Sequence, residues 1–329
     1  MSGSPRHSPA PRRPKSVLRR GVGRFLLHYW HTPLGRWRDH WRAGPPWVAR
    51  RTEAGRAAMR VAARTLPPPP TSRGLLSPIH VLTGASFWEQ TVFCLYSLAW
   101  SSGCQLAPHL YDDGSLDDLG RTALLRLFPL ARIVSRSEAK AQLERHLPEN
   151  RFPYLHERWG AYPQIRKLID PHAAGGDWKL VLDSDLLFFR RPDFLLQWLD
   201  DPRLPLHAVD VQRSYGYSDR LLTRLTSASL APRLNVGLCG LRSNELDWDQ
   251  IESWTRQLID AEHASYYLEQ ALVALLLAGR TCSVAPELDY VTLPRGTEAR
   301  ECRAVMHHYV AGSKRWYFQT NWRKIAPAE

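Results

Sequence analysis

Residues 178–189 read Trp-Lys-Leu-Val-Leu-Asp-Ser-Asp-Leu-Leu-Phe-Phe: a short apolar run ends in two carboxylates one residue apart and then turns apolar again. The run contains β-branched Val181 and follows two glycines, so it is predicted to be a buried strand. Burying unpaired carboxylates is costly. Because residues i and i+2 of an extended segment point the same way, Asp183 and Asp185 can present oxygens to one divalent cation. Two turn-forming aspartates, or a helix N-cap, are the alternative.

Predicted strands and helices alternate from residue 75 onward. We predict strands at 79–82, 105–111, 130–134, 178–182, 206–210, 234–241 and 281–285, and helices at 86–101, 115–128, 137–146, 160–170, 193–199, 248–262 and 265–279. This order predicts an α/β domain with a mostly parallel, Rossmann-like sheet flanked by helices. Ligands of such sheets bind beyond the carboxyl ends of the strands. The residues expected at that edge are Asp183, Asp185, Thr83, Gly84, Tyr111, Asp112 and Asp113.

The positive charge of the chain is concentrated near its N-terminus. The 329 residues carry a net charge of +12. Residues 1–70 hold 15 Lys and Arg against 2 Asp and Glu, a net charge of +13, which leaves 29 against 30, or −1, for residues 71–329. Four prolines at 67–70 favour an extended linker. We therefore predict a basic N-terminal extension over 1–70 and a single neutral domain over 71–329.

Within the extension, residues 1–20 are predicted to be disordered because they have little to bury. Within residues 22–42, Thr32-Pro33 predicts the start of a helix, and Trp30, Leu34, Trp37 and Trp41 fall on one face. A second helix is predicted over 50–65 with a stripe of arginines, Arg56, Arg60 and Arg64. Such helices suit an anionic membrane surface, and packing of the tryptophans on the main domain is an equal alternative. A further, less favoured alternative is that the extension is an organelle transit peptide. Nucleic acid is not expected as a partner, because only charge favours it.

The sequence predicts a cytoplasmic protein, with the extension as a peripheral contact to the cytoplasmic face of a membrane. The longest apolar run, at 271–278, is far shorter than the roughly 20 residues that a membrane span needs. The five cysteines are odd in number and lack Cys-x-x-Cys spacing. They are therefore predicted to be reduced core thiols.

Three further motifs occur in the neutral domain. Residues 162–168 read Tyr-Pro-Gln-Ile-Arg-Lys-Leu, residues 234–238 read Leu-Asn-Val-Gly-Leu with Glu269-Gln270 opening a later apolar helix, and residues 308–316 read His-Tyr-Val-Ala-Gly-Ser-Lys-Arg-Trp. Each has an ordinary alternative: a β-bulge at 235–237, an acidic first helical turn at Glu269, a strand-end histidine, or a solvated lysine. Their order along the chain is more informative than any one motif.

In this order the motifs resemble those of the GT-A nucleotide-sugar glycosyltransferases, most closely the family 8 type that includes glycogenin and bacterial lipopolysaccharide glycosyltransferases. The resemblance covers about residues 78–320. It implies a GT-A fold and a Mn²⁺ or Mg²⁺ ion held by Asp183, Asp185 and His308. It also implies donor contacts from Thr83, Gly84, Arg166, Asp183, Gly237 and Lys314, and reaction-centre roles for Asn235, Glu269 and Gln270.

The sequence departs from the family pattern at three positions. The glycine before Lys314 is shifted to Gly312, Arg315 stands where the family has proline, and Glu269 replaces an aspartate. The last change bears on the geometry of the reaction. His307 competes with His308 for the ligand role, and we favour His308 for its spacing to Lys314.

The resemblance implies transfer of a sugar, with retention, from a UDP-sugar to a carbohydrate, lipid-linked or protein acceptor that the sequence does not identify. Loss of a nucleoside diphosphate builds charge on a phosphate oxygen, which suits a metal site and a lysine. A nucleotidyltransferase of the same fold is one rival, although it would need a Gly-rich basic loop after the first strand. A non-catalytic relative that binds a membrane surface is the other.

Overall fold

The computed structural model describes residues 45–76 and 78–325, and one compact unit spans Arg51–Glu329. The α-helices are α1 Pro46–Thr65, α2 Trp88–Ser102, α3 Asp118–Leu127, α4 Arg136–His146, α5 Pro153–Ala161, α6 Arg166–His172, α7 Asp193–Asp200, α8 Asp219–Leu225, α9 Trp248–Glu262, α10 Leu268–Leu276, α11 Gly296–Glu301 and α12 Lys314–Gln319. The strands are β1 Arg73–Leu76, β2 Ile79–Thr83, β3 Cys104–Leu106, β4 His109–Asp112, β5 Arg132–Val134, β6 Trp178–Leu182, β7 Leu186–Phe188, β8 Leu206–Val209, β9 Leu234–Arg242, β10 Ser283–Val284, β11 Tyr290–Thr292 and β12 Met306–His308.

The main sheet confirms the predicted α/β class. Its seven strands lie in the order β10-β8-β9-β6-β2-β4-β5. All neighbours are parallel except β9, which runs antiparallel to both β6 and β8. Successive residues of one strand enter different apolar clusters, as with Leu110 and Tyr111. The sheet is therefore covered by helices on both faces, and ligands are expected at its carboxyl edge.

A second, three-stranded sheet with the order β11-β12-β7 was not predicted. Its strands are only three residues long, too short to show a periodic pattern in the sequence. β12 pairs antiparallel with β7, so that His308 lies opposite Leu186. This pairing brings a residue from near the C-terminus beside the carboxylate motif.

Most predicted elements differ from the structure by a few residues at their ends, and two of them are interrupted. The strand predicted at 105–111 is divided into β3 and β4, because Pro108 between them cannot donate a ladder hydrogen bond. The helix predicted over 160–170 begins as a single 3-10 turn, Pro163–Ile165, and continues as α6.

Helix α1 corrects the predicted boundary at residue 70. Met59 and Ala63 on this helix are fully buried in the core that also holds Val81 and Leu182. Residues 51–66 therefore belong to the folded body, and a chain starting near Ser72 would lose part of its core. The helix predicted to begin at Thr32-Pro33, with its tryptophans, lies outside the described residues.

All five cysteines are unpaired, and four of them are buried, as expected for core thiols. Among the residues that the structure describes, no helix has the length and apolar character that a membrane crossing requires.

Candidate functional site

The carboxylate motif occupies the turn where the chain leaves the main sheet. Asp183 follows β6, and its backbone N–H donates to the carbonyl of Gly237 on the adjacent strand β9 at 2.8 Å. Asp185 precedes β7, and its carbonyl accepts from the N–H of Tyr309 at 3.0 Å. Both aspartates are thus fixed by backbone bonds from neighbouring strands, and a change of sheet between them turns both side chains toward one point.

His308 meets both carboxylates at that point. Its Nε2 lies 3.5 Å from Asp183 Oδ2 and 3.3 Å from Asp185 Oδ1. Ligand atoms of the three residues all lie within 4.8 Å of one another. The three residues predicted to hold a metal are therefore brought together, two from the end of β6 and one from β12.

The hydrogen bonds of Asn235 determine which ring nitrogen of His308 donates to it. Asn235 Oδ1 accepts from the N–H of Gly237 at 2.9 Å and lies 3.1 Å from His308 Nδ1. Asn235 Nδ2 donates to Asp210 Oδ2 at 3.3 Å, which identifies Oδ1 as the acceptor. Nδ1 of His308 therefore carries a proton, and Nε2 is the ring atom that faces the two carboxylates, where it offers a lone pair once the ring is neutral. That buried Nε2 has no hydrogen-bond partner of good geometry.

Two lysines complete the charge pattern. Lys167 Nζ lies 2.6 Å from Asp183 Oδ1, and Lys314 Nζ lies 3.2 Å from Asp185 Oδ2. Each carboxylate thus gives one oxygen to a lysine and turns the other toward His308. Two oxygens and one imidazole nitrogen facing inward are a donor set that fits Mn²⁺, with Mg²⁺ as the alternative.

The pKa values of these groups follow from the same contacts. Burial alone would lower the pKa of His308, but Asp185 and Asp183 outweigh it and raise the pKa to about 9. Burial raises the pKa of Asp185, yet Lys314 and His308 hold it well below its usual range. Without a metal the cluster therefore keeps a proton on His308, and a divalent cation would displace it.

His307 is directed away from this cluster. Its Nε2 lies 2.6 Å from Glu298 Oε1, and its Nδ1 lies 3.0 Å from the hydroxyl of Tyr309. Neighbouring residues of an extended strand point to opposite faces. Strand β12 accordingly presents His308 to the site and His307 to the opposite side.

Gly237 provides the space that His308 fills. A Cβ at this position would lie 2.6 Å from His308 Nδ1, closer than real side-chain contacts come. The ladder between β8 and β9 shifts register here, since His207 pairs with Cys239 and Ala208 with Asn235. This is the β-bulge considered from the sequence. The structure thus gives Gly237 contact with the ring of His308, where an approach to the sugar was predicted.

Gly237→Ala is expected to lower the affinity for Mn²⁺ by at least about tenfold, because the new methyl group displaces His308. Titration of Mn²⁺ followed by electron paramagnetic resonance would measure the loss. Gly160→Ala is the matched control, since a Cβ there meets no atom within 4 Å. Equal affinities of the two variants would contradict this role for Gly237.

Arg166 pairs with Asp170 and not with the carboxylates of Asp183 and Asp185. It is 1% exposed, its Nε donates to Asp170 at 2.8 Å, and its Nη2 donates to the carbonyl of Asp112 at 2.9 Å. Its guanidinium also lies 4.8 Å from the ring centroid of Trp159. The next residue, Lys167, faces the carboxylates instead. The two cations are adjacent in sequence, and only the rotation of helix α6 decides which one faces the site.

Glu269 and Gln270 open helix α10 at the other side of Lys167. Glu269 Oε2 lies 3.1 Å from Lys167 Nζ, so one ammonium bridges Glu269 and Asp183. Burial of Glu269 raises its pKa to about 7 despite the neighbouring lysine. Gln270 Nε2 donates to the carbonyl of Ser214 at 2.9 Å and lies 3.4 Å from Asp210 Oδ2.

Asp210 was missed by the sequence analysis. It is buried and accepts from both Asn235 and Gln270, and thereby joins two predicted reaction-centre residues. The available signal was its place directly after β8, at a strand end where polar residues collect.

Thr83 and Gly84 lie at the same edge of the sheet. Thr83 pairs with Asp112 across β2 and β4, so both strands end at one level. The hydroxyl of Thr83 bonds that of Thr91 at 2.9 Å. Gly84 packs directly on the carboxylate of Asp113, where a Cβ would collide with it. At Gly84 the edge of the sheet therefore consists of backbone atoms that contact the carboxylate of Asp113.

No protein-family model matches the chain, and no curated protein is significantly similar to it in sequence. Solved structures with a related arrangement include mouse xyloside xylosyltransferase 1, at 13% identity, TM-score 0.48, with 70% of this chain and 97% of that chain covered. The galactosyltransferase LgtC, in complex with donor and acceptor sugar analogues, aligns at 15% identity and TM-score 0.47, over 76% and 100% of the two chains.

A third such structure is the glycosyltransferase GlyE of Streptococcus pneumoniae, at 13% identity and TM-score 0.45, with 78% of this chain and 62% of that chain covered. The three solved structures named are all glycosyltransferases. Identities this low leave the chemistry to be inferred from the site residues themselves.

Three tyrosines, Tyr162, Tyr266 and Tyr267, lie close to one another near the start of α10. Tyr266 is 60% exposed and Tyr267 is 40% exposed, and their ring centroids lie 5.1 Å apart. Tyr162 meets Tyr266 edge-on at 5.9 Å. Burial raises the pKa of the Tyr266 hydroxyl, and the charges of Asp183 and the two lysines also reach it. Tyr266 is therefore close enough to the charged cluster to feel its charges, and its ring is accessible.

Proposed function

We propose that this protein is a metal-dependent glycosyltransferase that moves a sugar from a nucleotide-sugar donor, expected to be a UDP-sugar, to a carbohydrate acceptor. The observation that carries the proposal is the inward-facing set of Asp183 Oδ2, Asp185 Oδ1 and His308 Nε2 at the carboxyl edge of a mostly parallel sheet. A buried lone pair aimed at two carboxylates is unfavourable unless a cation or a proton lies between them.

In this proposal Asp183, Asp185 and His308 hold Mn²⁺ or Mg²⁺. The bound ion would supply a Lewis acid to the donor diphosphate and offset the charge of the leaving group. Asn235 keeps the proton of His308 on Nδ1, so that Nε2 remains available as a ligand. Asp210 in turn orients Asn235 through its carboxylate.

Lys314 and Lys167 have different proposed roles. Lys314 is the more exposed, at 38% against 10% for Lys167, and offers a point charge to the diphosphate. Lys167 is enclosed between Asp183 and Glu269 and holds both carboxylates in place. Lys167 thus replaces Arg166 in the proposed donor site.

The acceptor side is assigned to Glu269 and the tyrosines. Glu269 would stabilise positive charge that develops at the anomeric carbon, or orient the acceptor hydroxyl. The exposed rings of Tyr266 and Tyr267 offer apolar faces for a sugar ring. Retention of the anomeric configuration remains a prediction from the family resemblance, and the anomeric coupling of the first-formed product by NMR would test it.

A donor screen tests the proposal as a whole. The wild-type protein is incubated with each sugar nucleotide and Mn²⁺, without acceptor, and released nucleoside diphosphate is measured. We expect slow hydrolysis of at least one UDP-sugar that stops on chelation. Release of pyrophosphate from a nucleoside triphosphate and a sugar phosphate would instead favour a nucleotidyltransferase.

The rate is expected to rise with pH through about 7 and then level, because Glu269 is protonated below its raised pKa and loses its charge. Glu269→Gln should remove this dependence and lower the plateau on the order of 10²-fold. Rates are measured with Mn²⁺ saturating at each pH, which separates Glu269 from proton competition at His308. Glu287→Gln, at an exposed glutamate paired with Arg233, is the matched control.

A further inference from the structure

Helix α1 carries two arginines that share one buried carboxylate. Arg56 Nε donates to Glu89 Oε1 at 2.7 Å, and Arg60 Nη2 lies 3.2 Å from Glu89 Oε2. The side chain of Glu89 is 0% exposed, whereas those of Arg56 and Arg60 are 28% and 44% exposed. Two of the three arginines that were predicted to form a membrane-facing stripe are thus committed to the folded body.

The same guanidinium groups bond the loop at the end of β2. Arg60 Nη2 donates to the carbonyl of Ala85 at 3.0 Å, and Arg56 Nη2 donates to the carbonyl of Ser86. These carbonyls directly follow Gly84, which packs on the carboxylate of Asp113. Two carbonyls of the loop that carries a predicted donor contact are therefore held by one helix from outside the sheet.

Helix α1 also packs on the segment that carries Lys314. A Cβ at Gly55 would lie 2.8 Å from the carbonyl carbon of Phe318, so the helix and α12 are in close contact. The guanidinium of Arg56 lies 5.5 Å from the ring centroid of Phe318. Gln319 Nε2 donates to the hydroxyl of Thr52 at 2.8 Å. Lys314 opens the same helix α12 and reaches Asp185.

We propose that Arg56 and Arg60 are positioning residues, which fix the loop at Gly84 relative to Lys314 and so set the span over which the donor binds. This inference rests on the proposed function, since it assigns Gly84 to the nucleoside end of the donor and Lys314 to its diphosphate. Helix α1 touches both segments, through the carbonyls of Ala85 and Ser86 and through the backbone of Phe318. Arg56 and Arg60 thus tune donor binding without contacting the donor.

Arg60→Met tests the proposal, because methionine keeps an apolar stem beside Trp88 and loses both polar contacts. We expect the KM for the donor to rise about tenfold, with kcat within about twofold, since misplacement of a supporting group acts on binding geometry. Mn²⁺ affinity should remain that of wild type. Arg60→Lys, which keeps the charge, should recover part of the loss.

Met59→Ala is the matched control, because Met59 is fully buried on the same helix. It should lower the melting temperature at least as much as Arg60→Met, with donor KM unchanged. An equal rise in KM for both variants would reduce Arg60 to a purely structural role and overturn the proposal, as would an unchanged KM in Arg60→Met.

Hydrogen exchange supplies a readout that is independent of activity. If the arginines hold the loop, amides of residues 84–88 exchange faster in Arg60→Met than in wild type, while those of β2 exchange at the wild-type rate. Unchanged exchange at residues 84–88 would overturn the proposal. If the wild-type protein hydrolyses no sugar nucleotide, the proposed function fails, and the exchange result still decides whether the arginines hold the loop.

Discussion

Asp185→Asn is expected to reduce donor hydrolysis by at least about 10²-fold. Asparagine keeps the shape of the side chain and removes the charge that a divalent cation needs. Asp185 faces His308 with one oxygen and Lys314 with the other, so the loss also leaves Lys314 without its carboxylate. The reduction in rate is measured as the release of nucleoside diphosphate at saturating Mn²⁺, under single-turnover conditions.

Asp249→Asn is the control for this experiment. Asp249 is paired with Arg151 and its side chain is 60% exposed, so the substitution makes the same chemical change away from the site. Its rate should equal that of wild type. Turnover of Asp185→Asn near the wild-type rate, or full wild-type turnover in a chelator, would show that no metal is needed.

His308→Ala should remove most of the Mn²⁺ affinity, by about 10²-fold or more, whereas His307→Ala should leave it within about threefold. The reason is the opposite direction of the two side chains on β12. His308 Nε2 faces both aspartates, and His307 bonds Glu298. Calorimetric titration of Mn²⁺ into each variant decides between them, and a larger loss in His307→Ala would mean that the wrong imidazole was chosen.

The same titration has an expected pH dependence. The pKa of His308 is raised to about 9 in the metal-free protein, so the ring carries a proton over most of the accessible range. Mn²⁺ must displace that proton, and its apparent affinity should therefore fall about tenfold for each pH unit below 9. The dependence should vanish in His308→Ala. Affinity independent of pH in the wild-type protein would exclude His308 as a ligand.

Much of this site could be predicted from local sequence patterns. A short apolar run ending in Asp183 and Asp185 defines a strand and its carboxyl edge, because strand periodicity and the cost of buried charge are both local properties. The alternation of strands and helices likewise predicted a mostly parallel sheet, which the structure confirms. His308 and Lys314 were singled out by the resemblance to the family pattern, whose spacing they keep, and not by local sequence alone.

Other assignments depended on a rotation or on a partner far along the chain. Arg166 and Lys167 are adjacent cations, and the direction of helix α6 puts Arg166 on Asp170 and Lys167 on Asp183. Gly237 was assigned to the sugar, yet it is the ring of His308 that occupies the space beside it. Asp210 acquires its role only where Asn235 and Gln270 meet it.

The sequence by itself determined the class of fold, the strand end that carries two carboxylates, and the candidates for a third ligand. The tertiary structure alone decided that β12 pairs with β7, which places His308 beside Asp185. It also decided that α1 belongs to the body, with Arg56 and Arg60 on Glu89. The physical reason is that hydrophobic periodicity, and the free-energy cost of burying a charge at a strand end, depend on residues that are neighbours in the sequence. Three-residue strands and buried ion pairs, by contrast, form only when segments far apart in the sequence pack together.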